Sequence, residues 1–80
     1  MPRKMGAQVF ASQVLRYGRI CTHKEDFFEK LNGTFRLLIS RGYSSYELKR
    51  SAERQLQKHL DVLLKFGYYS AKKMIDIHIL

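Results

Sequence analysis

One helix-ending pattern occurs twice in this chain, 25 residues apart. Segments 38–45 and 63–70 have the same residue at four matching positions, which are Leu38/Leu63, Gly42/Gly67, Tyr43/Tyr68 and Ser45/Ser70. A glycine directly after an apolar helical run favours the left-handed conformation that ends a helix, because it has no Cβ. A serine that follows can accept a hydrogen bond from a free amide of the next helix. Each copy therefore predicts a helix, a tight corner and another helix.

Apolar residues at spacings of three and four predict two helices before the first copy of this pattern. The first is expected over residues 7–17, and Gly18 is expected to end it in the same way as the later glycines. The second is expected to begin at a capping box, in which Thr22 accepts from an amide of the first turn and Glu25 reaches back. Its apolar stripe continues to residue 39.

A third helix is expected to follow the first corner and to be the longest. Ser44 and Glu47 form a second capping box at its start. Its apolar stripe reaches Phe66 through Leu48, Ala52, Leu56, Leu60 and Leu63. The spacing predicts one continuous helix of about 22 residues.

Two segments leave alternatives open. Asn32-Gly33 is typical of a two-residue hairpin turn, but its flanks do not alternate cleanly, so a helix that is kinked or restarted there is favoured. Residues 70–80 begin with a serine cap and end in alternating apolar and polar residues. This end is expected to be a helix with a frayed apolar tail, and the alternative is a short strand that pairs with a partner.

These patterns predict an all-α fold, a small bundle of three to four helices joined by Gly-Tyr-Ser corners. A basic arm of residues 1–6 is expected to precede a single helical domain of residues 7–80, because 80 residues leave no room for a second domain.

Charge is the strongest signal in the composition. Fifteen Lys and Arg against seven Asp and Glu give a net charge of +8 and a pI near 9.9. Residues 1–24 contain five of the basic residues and no acidic residue. Such an excess favours a polyanionic partner, with nucleic acid ahead of an anionic membrane surface or an acidic protein. A membrane surface is disfavoured because no helix shows a concentrated apolar face opposite a Lys-rich one.

Three cations recur every four residues along the third helix, and we name Arg50, Arg54 and Lys58 the basic row. Such a row matches successive phosphates and predicts binding to DNA or RNA through the backbone, without reading sequence. The full set of expected contacts is Arg3, Lys4, Arg16, Arg19, Arg50, Arg54, Lys58, Lys72 and Lys73. In the alternative interpretation, Glu47, Glu53 and Asp61 pair with Arg50, Arg54 and Lys65 as ordinary surface ion pairs.

Tyrosines also accompany the corners, at Tyr43, Tyr46, Tyr68 and Tyr69. Tyrosines beside basic residues can stack on unpaired bases. The favoured interpretation is structural, because a residue that follows a helix-ending glycine often covers the helix end.

The hydrophobic C-terminus suggests an alternative function. Ile75, Ile77, Ile79 and Leu80 form an apolar tail that would need covering. The chain could therefore be a structural subunit that binds itself or other proteins in a capsid or ribonucleoprotein.

Several function classes lack a sequence signature. Cys21 and His23 have no supporting catalytic motif, so no enzyme is predicted, and no cofactor or metal site is expected. The single cysteine allows no intrachain disulfide. No apolar run has the length of a signal peptide or a membrane span, which predicts an intracellular or virion location.

Residues 27–52 resemble a short helical element that recurs in viral and mobile-element proteins. Its pattern is a set of apolar helical positions, then Leu-x-x-Arg-Gly-Tyr, then a small residue and another helix. The matching residues are Phe28, Leu31, Phe35, Leu38, Arg41, Gly42, Tyr43, Leu48 and Ala52. This resembles the segment after the polymerase core of Penelope-like reverse transcriptases, although Ser44 stands where proline is common. The resemblance implies a viral or mobile-element origin and no activity, because the catalytic aspartates of the polymerase have no counterpart.

Overall fold

Five helices and no strand are present in residues 5–79, the part of the chain described by the computed structural model. The helices are α1 (Met5–Ile20), α2 (Lys24–Ser40), α3 (Ser45–Lys58), α4 (Leu60–Lys65) and α5 (Ala71–His78). The all-α prediction is confirmed. The expected number of three to four helices is wrong, because the long third helix divides in two.

The apolar stripes read from the sequence supply the core, since residues three and four apart share one face of a helix. Phe10 and Val14 come from α1, and Phe27 stacks on Phe66 with ring centroids 4.7 Å apart. The other large side chains that are fully buried are Leu31, Leu48, Leu56, Val62, Leu63, Met74, Ile75 and Ile79. The radius of gyration is 11.6 Å, close to the roughly 12 Å expected of a compact chain of this length.

Helix α1 is longer than predicted, and the role assigned to Gly18 is wrong. The helix continues to Ile20, and the amide of Cys21 still donates to the carbonyl of Tyr17 at 2.9 Å. Gly18 is buried against α4, and a Cβ there would overlap a methyl group of Val62. It allows two helices to approach closely. The helix also begins at Met5, inside the arm expected over residues 1–6, and Arg3 and Lys4 lie outside the described residues.

Helix α2 begins one residue later than the predicted capping box implies. Its N-cap is His23, whose side chain makes no capping hydrogen bond, so the predicted cap at Thr22 is wrong. The helix is continuous through Asn32 and Gly33, which excludes the hairpin. The Asn32 side chain donates to the carbonyl of His78 at 2.9 Å and so satisfies a free acceptor at the end of α5.

Gly42 and Gly67 both have positive φ, of 95° and 83°. In each copy the glycine amide and the following tyrosine amide bond back to carbonyls of the last helical turn, as in a Schellman motif. The serines of the two copies are not equivalent. Ser70 caps α5, whereas Ser44 caps α3 and Ser45 is already its first residue. The connections from α1 to α2 and from α3 to α4 use no such glycine.

Helices α3 and α4 are separated at His59, with φ −129° and ψ 69°. The break changes which residues face the core. A continuous helix would bury Leu60 four residues after Leu56, but Leu60 is 55% exposed and Val62 is buried instead. The continuous helix predicted to Phe66 is therefore wrong.

The last segment is a helix that ends at His78, so the strand alternative is excluded for the described residues. Ser70 accepts from the amide of Lys73 at 3.3 Å, as the serine cap predicts. Ile79 follows in an extended conformation and is buried.

Candidate nucleic-acid interface

An open groove of about 420 Å³ lies between the first turn of α1 and the part of α3 from Tyr46 to Arg54. We call it the α1–α3 groove. Its lining residues are Ala7, Gln8, Tyr46, Glu47, Arg50, Ser51 and Arg54. Two of the three cations of the basic row therefore lie at one concave surface.

A side-chain hydrogen bond joins the two helices at this groove. The Ser51 hydroxyl donates to the Ala7 carbonyl at 3.0 Å, which holds the first turn of α1 against α3. Ser44 caps α3 by accepting from the amide of Glu47 at 3.3 Å, so the first turn that carries Tyr46 is fixed as well. The groove is thus built on two helices rather than on a loop.

The cations of the groove form no ion pair with a carboxylate of residues 5–79. Within residues 5–79, ion pairs shorter than 4.0 Å join Lys30 to Asp26 and Lys72 to Asp76. Arg50, Arg54 and Lys58 are exposed and form none with the described residues. The alternative interpretation, in which Glu47, Glu53 and Asp61 pair with Arg50, Arg54 and Lys65, is not observed in this structure.

Lys65 has a structural role instead. Its ammonium donates to the carbonyl oxygens of Gly18 at 2.9 Å and Arg19 at 3.3 Å. These carbonyls belong to the last turn of α1, where a cation is favoured by the helix dipole. Lys65 therefore holds α4 against α1, and its ammonium group is positioned by these carbonyls.

One aromatic ring accompanies the cations of the groove. Tyr46 is 67% exposed, and the guanidinium carbon of Arg50 lies 5.6 Å from its ring centroid. This distance is within the range of a cation–π contact. Tyr43 and Tyr68 instead pack against the core, in accord with their expected role at the helix ends.

The predicted cations of α5 are less free than those of α3. Lys72 binds Asp76 at 2.8 Å, and this hydrogen bond and the charge of Asp76 raise the pKa of Lys72. The charges of Glu53 and Arg50 also act on Lys72, so the first turn of α5 lies beside α3. Lys73 is exposed. Of this pair, Lys73 is the cation without a carboxylate partner in the described chain.

The predicted cations of α1 lie elsewhere. Arg19 Nη2 is 3.5 Å from His59 Nδ1, which places Arg19 at the junction of α3 and α4. Arg16 is exposed on α1 but does not line the groove. The structure thus brings Arg50 and Arg54 together and places Arg19 at the far end of α3.

Two of the four residues of the apolar tail are covered by the chain itself. Ile75 and Ile79 are 2% and 1% exposed and belong to the core, so their assignment to a partner interface is wrong for the folded chain. Ile77 is 52% exposed, and Leu80 lies outside the described residues. The structural-subunit alternative therefore loses two of the four residues that suggested it.

The wall of the groove that α1 forms was not predicted from the sequence. Ala7 and Gln8 carry no functional signal in the sequence, and only the packing of α1 on α3 brings them to Arg50. A neighbouring groove of about 330 Å³ includes Arg41 and shares Glu47 with the first. The position of Arg41, directly before a helix-ending glycine, is a signal that could have identified it.

Candidate reactive and metal-binding groups do not assemble in the described part of the chain. Cys21 is buried, and its burial and the nearby Asp26 raise the pKa of its thiol, which disfavours the nucleophilic thiolate. Between residues 5 and 79, no three His, Cys, Asp or Glu residues lie together in a way that could hold a metal ion.

Comparison with known proteins does not assign the chain to a family. No protein-family model matches it, and neither a curated protein nor a solved structure resembles it significantly. No helix in the described residues is both long and apolar enough to cross a membrane.

Proposed function

We propose that this chain is a small basic protein that binds nucleic acid through the sugar-phosphate backbone, without sequence specificity. One observation carries the proposal. Arg50 and Arg54 line the α1–α3 groove, both are exposed, and neither has a carboxylate partner among the described residues. Guanidinium groups match phosphate geometry and remain charged at any physiological pH.

Two further features support the proposal. Lys58 continues the basic row one turn beyond Arg54, which extends the charged surface along α3. Arg3 and Lys4 precede the first turn of α1 in sequence, and that turn forms one wall of the groove. A viral or mobile-element origin belongs to the same proposal and rests on the resemblance of residues 27–52. A place in the cell or in a virion is proposed with it.

A salt titration tests the proposal. A labelled oligonucleotide is titrated with the protein at several salt concentrations, and the slope of log K against log salt is measured. Replacing Arg50, Arg54 and Lys58 together by Ala is expected to weaken binding and to reduce the slope by about 2, since each lost phosphate contact to a single strand removes about 0.7.

A second triple variant controls for net charge. Lys24, Lys30 and Arg36 are exposed on α2 and do not line the groove, and their replacement by Ala removes the same formal charge, although Lys30 is paired with Asp26. This variant is expected to retain most of the affinity at physiological salt. Equal losses in the two variants would mean that the basic row is not the site, and no binding at low salt would exclude the function.

A further inference from the structure

The open α1–α3 groove has a volume comparable to that of small-ligand sites. Its volume of about 420 Å³ falls within the range of roughly 300–1,000 Å³ that is typical of small-molecule and cofactor sites. A duplex presents a convex phosphate surface and keeps its bases paired inside, so it would bridge this groove. A single strand can enter it, because its bases and its phosphates turn independently.

Tyr46 is placed to meet the face of an unpaired base. The ring is 67% exposed on a capped first turn of α3, and the Arg50 guanidinium lies near it. Aromatic rings beside cations are the usual platform of proteins that bind single strands, because every base has a π-face. A duplex would offer this ring no unpaired base.

The charge of the residues that line the groove changes from negative to positive along α3. The carboxylate of Glu47 lies next to Tyr46 in sequence, and Arg50 and Arg54 follow one and two turns later. Phosphate is repelled from Glu47 and attracted to the two guanidinium groups. A base is therefore favoured at the Tyr46 end of the groove and its flanking phosphates at the arginine end.

We propose that the ligand of this groove is single-stranded nucleic acid, with one unpaired base stacked on Tyr46 and the adjoining phosphates bound by Arg50 and Arg54. This inference rests on the proposed function and names the substrate class of the same site. The protein should therefore bind a single strand more tightly than a duplex of the same sequence. This difference in affinity should depend on the aromatic ring at residue 46.

Affinity measurements with variants at residue 46 test the inference. Tyr46→Ala should weaken binding of a single strand by about 5- to 150-fold, the range found for loss of one base–aromatic stack, and should change duplex binding little. Tyr46→Phe keeps the ring and should retain the affinity. Tyr69→Ala is the matched control, because Tyr69 is 89% exposed but does not line the groove.

A spectroscopic measurement reports the contact directly. The chain contains no Trp, so Tyr46→Trp introduces a single indole at the proposed platform. Stacking on a base should quench its fluorescence when a single strand is added, and a Tyr69→Trp variant should show no comparable quenching. Single strands of DNA and of RNA with the same sequence are compared to identify which of the two is preferred.

The outcomes separate this inference from the proposed function. Duplex binding as tight as single-strand binding, with no effect of Tyr46→Ala, would overturn the inference. If the variant of the basic row still lost affinity in that case, the proposed function would stand. Absence of binding by any strand at low salt would overturn both. Helical circular dichroism of each variant confirms that a loss of affinity is not a loss of fold.

Discussion

Glycine has two distinct roles in this chain, although Gly18, Gly42 and Gly67 all lie next to a tyrosine. Gly42 and Gly67 have positive φ, and a Cβ added to either would meet no atom within 4 Å, so backbone conformation alone favours glycine there. Gly18 is helical, and it is favoured because Val62 of α4 occupies the space of a side chain. The role of a glycine thus depends on whether a neighbour approaches it.

Gly18→Ala tests the close approach of α1 and α4. The new methyl group would overlap Val62, which is 2% exposed and has a stiff β-branched side chain that cannot rotate away easily. We expect the free energy of unfolding to fall by about 1–3 kcal/mol, the usual cost of overpacking. Urea unfolding followed by circular dichroism measures it.

Gly33→Ala is the matched control for this substitution. Gly33 lies in the middle of α2 on its exposed face, and a Cβ added there would have no atom within 4 Å. The change should raise the free energy of unfolding by about 0.5–1 kcal/mol, because alanine favours the helix. If Gly18→Ala were as stable as the wild type, the close contact with Val62 would be refuted.

At the scale of the helices, the division of α3 from α4 decides which leucines are buried. No proline or glycine marks the break at His59. Contacts with α1 account for it instead, since Val62 packs against Gly18 and Lys65 binds the carbonyls at the end of α1. A straight helix would direct Leu60 inward in place of Val62.

Leucine-to-alanine substitutions on either side of the break test this geometry. Leu63 is fully buried, so Leu63→Ala should lower the free energy of unfolding by about 2–5 kcal/mol. Leu60 is 55% exposed, so Leu60→Ala should lower it by less than about 1 kcal/mol. Chemical denaturation of both variants gives the comparison. Similar large losses would indicate an unbroken helix that buries both residues.

At the scale of the whole molecule, one polar and aromatic cluster joins the end of the chain to α2. The His78 ring stacks on Phe28 with centroids 4.0 Å apart and hydrogen-bonds the Tyr68 hydroxyl through Nε2. Asn32 binds the His78 carbonyl. The cluster connects α2, the corner before α5 and the end of α5, and it brings Ile79 into the core.

This cluster predicts that acid destabilises the fold. Burial lowers the pKa of His78 from its ordinary value of 6.5, and the charge of Lys24 lowers it further. The unfolded chain therefore binds more protons than the folded chain in the range below about 6.5. The contribution of neutral His78 to stability is complete above that pH and is lost as the pH falls below it toward the lower pKa of the folded chain.

Urea unfolding midpoints at pH 8 and pH 5.5 measure this loss. The wild type should lose more stability on acidification than His78→Gln, which cannot titrate at that position. His23→Gln is the control, because His23 is exposed and its side chain makes no capping bond. An unchanged pH dependence in His78→Gln would exclude His78 as the source.

The basic row could be predicted because it depends on spacing within one helix. Arg50, Arg54 and Lys58 share a face whatever α3 packs against. The groove could not be predicted, because Ala7 reaches Ser51 across 44 residues. The sequence also could not predict whether Arg50 and Arg54 form ion pairs, because Glu47 and Glu53 lie close enough in sequence to pair with them. Pairing depends on the rotamers of these side chains, and the surrounding surface determines which rotamers they adopt.

The sequence by itself determined the all-α class, the glycines at the ends of α2 and α4, and most of the apolar positions that form the core. These are local properties, set by periodicity and by the conformations open to each residue. The tertiary structure alone decided the role of Gly18, the break at His59 and the burial of Ile75 and Ile79. Each depends on contact between residues far apart in the chain, such as Lys65 with Gly18. Packing at these contacts overrides the helix propensity that favours an unbroken third helix, and it buries two residues of the apolar tail.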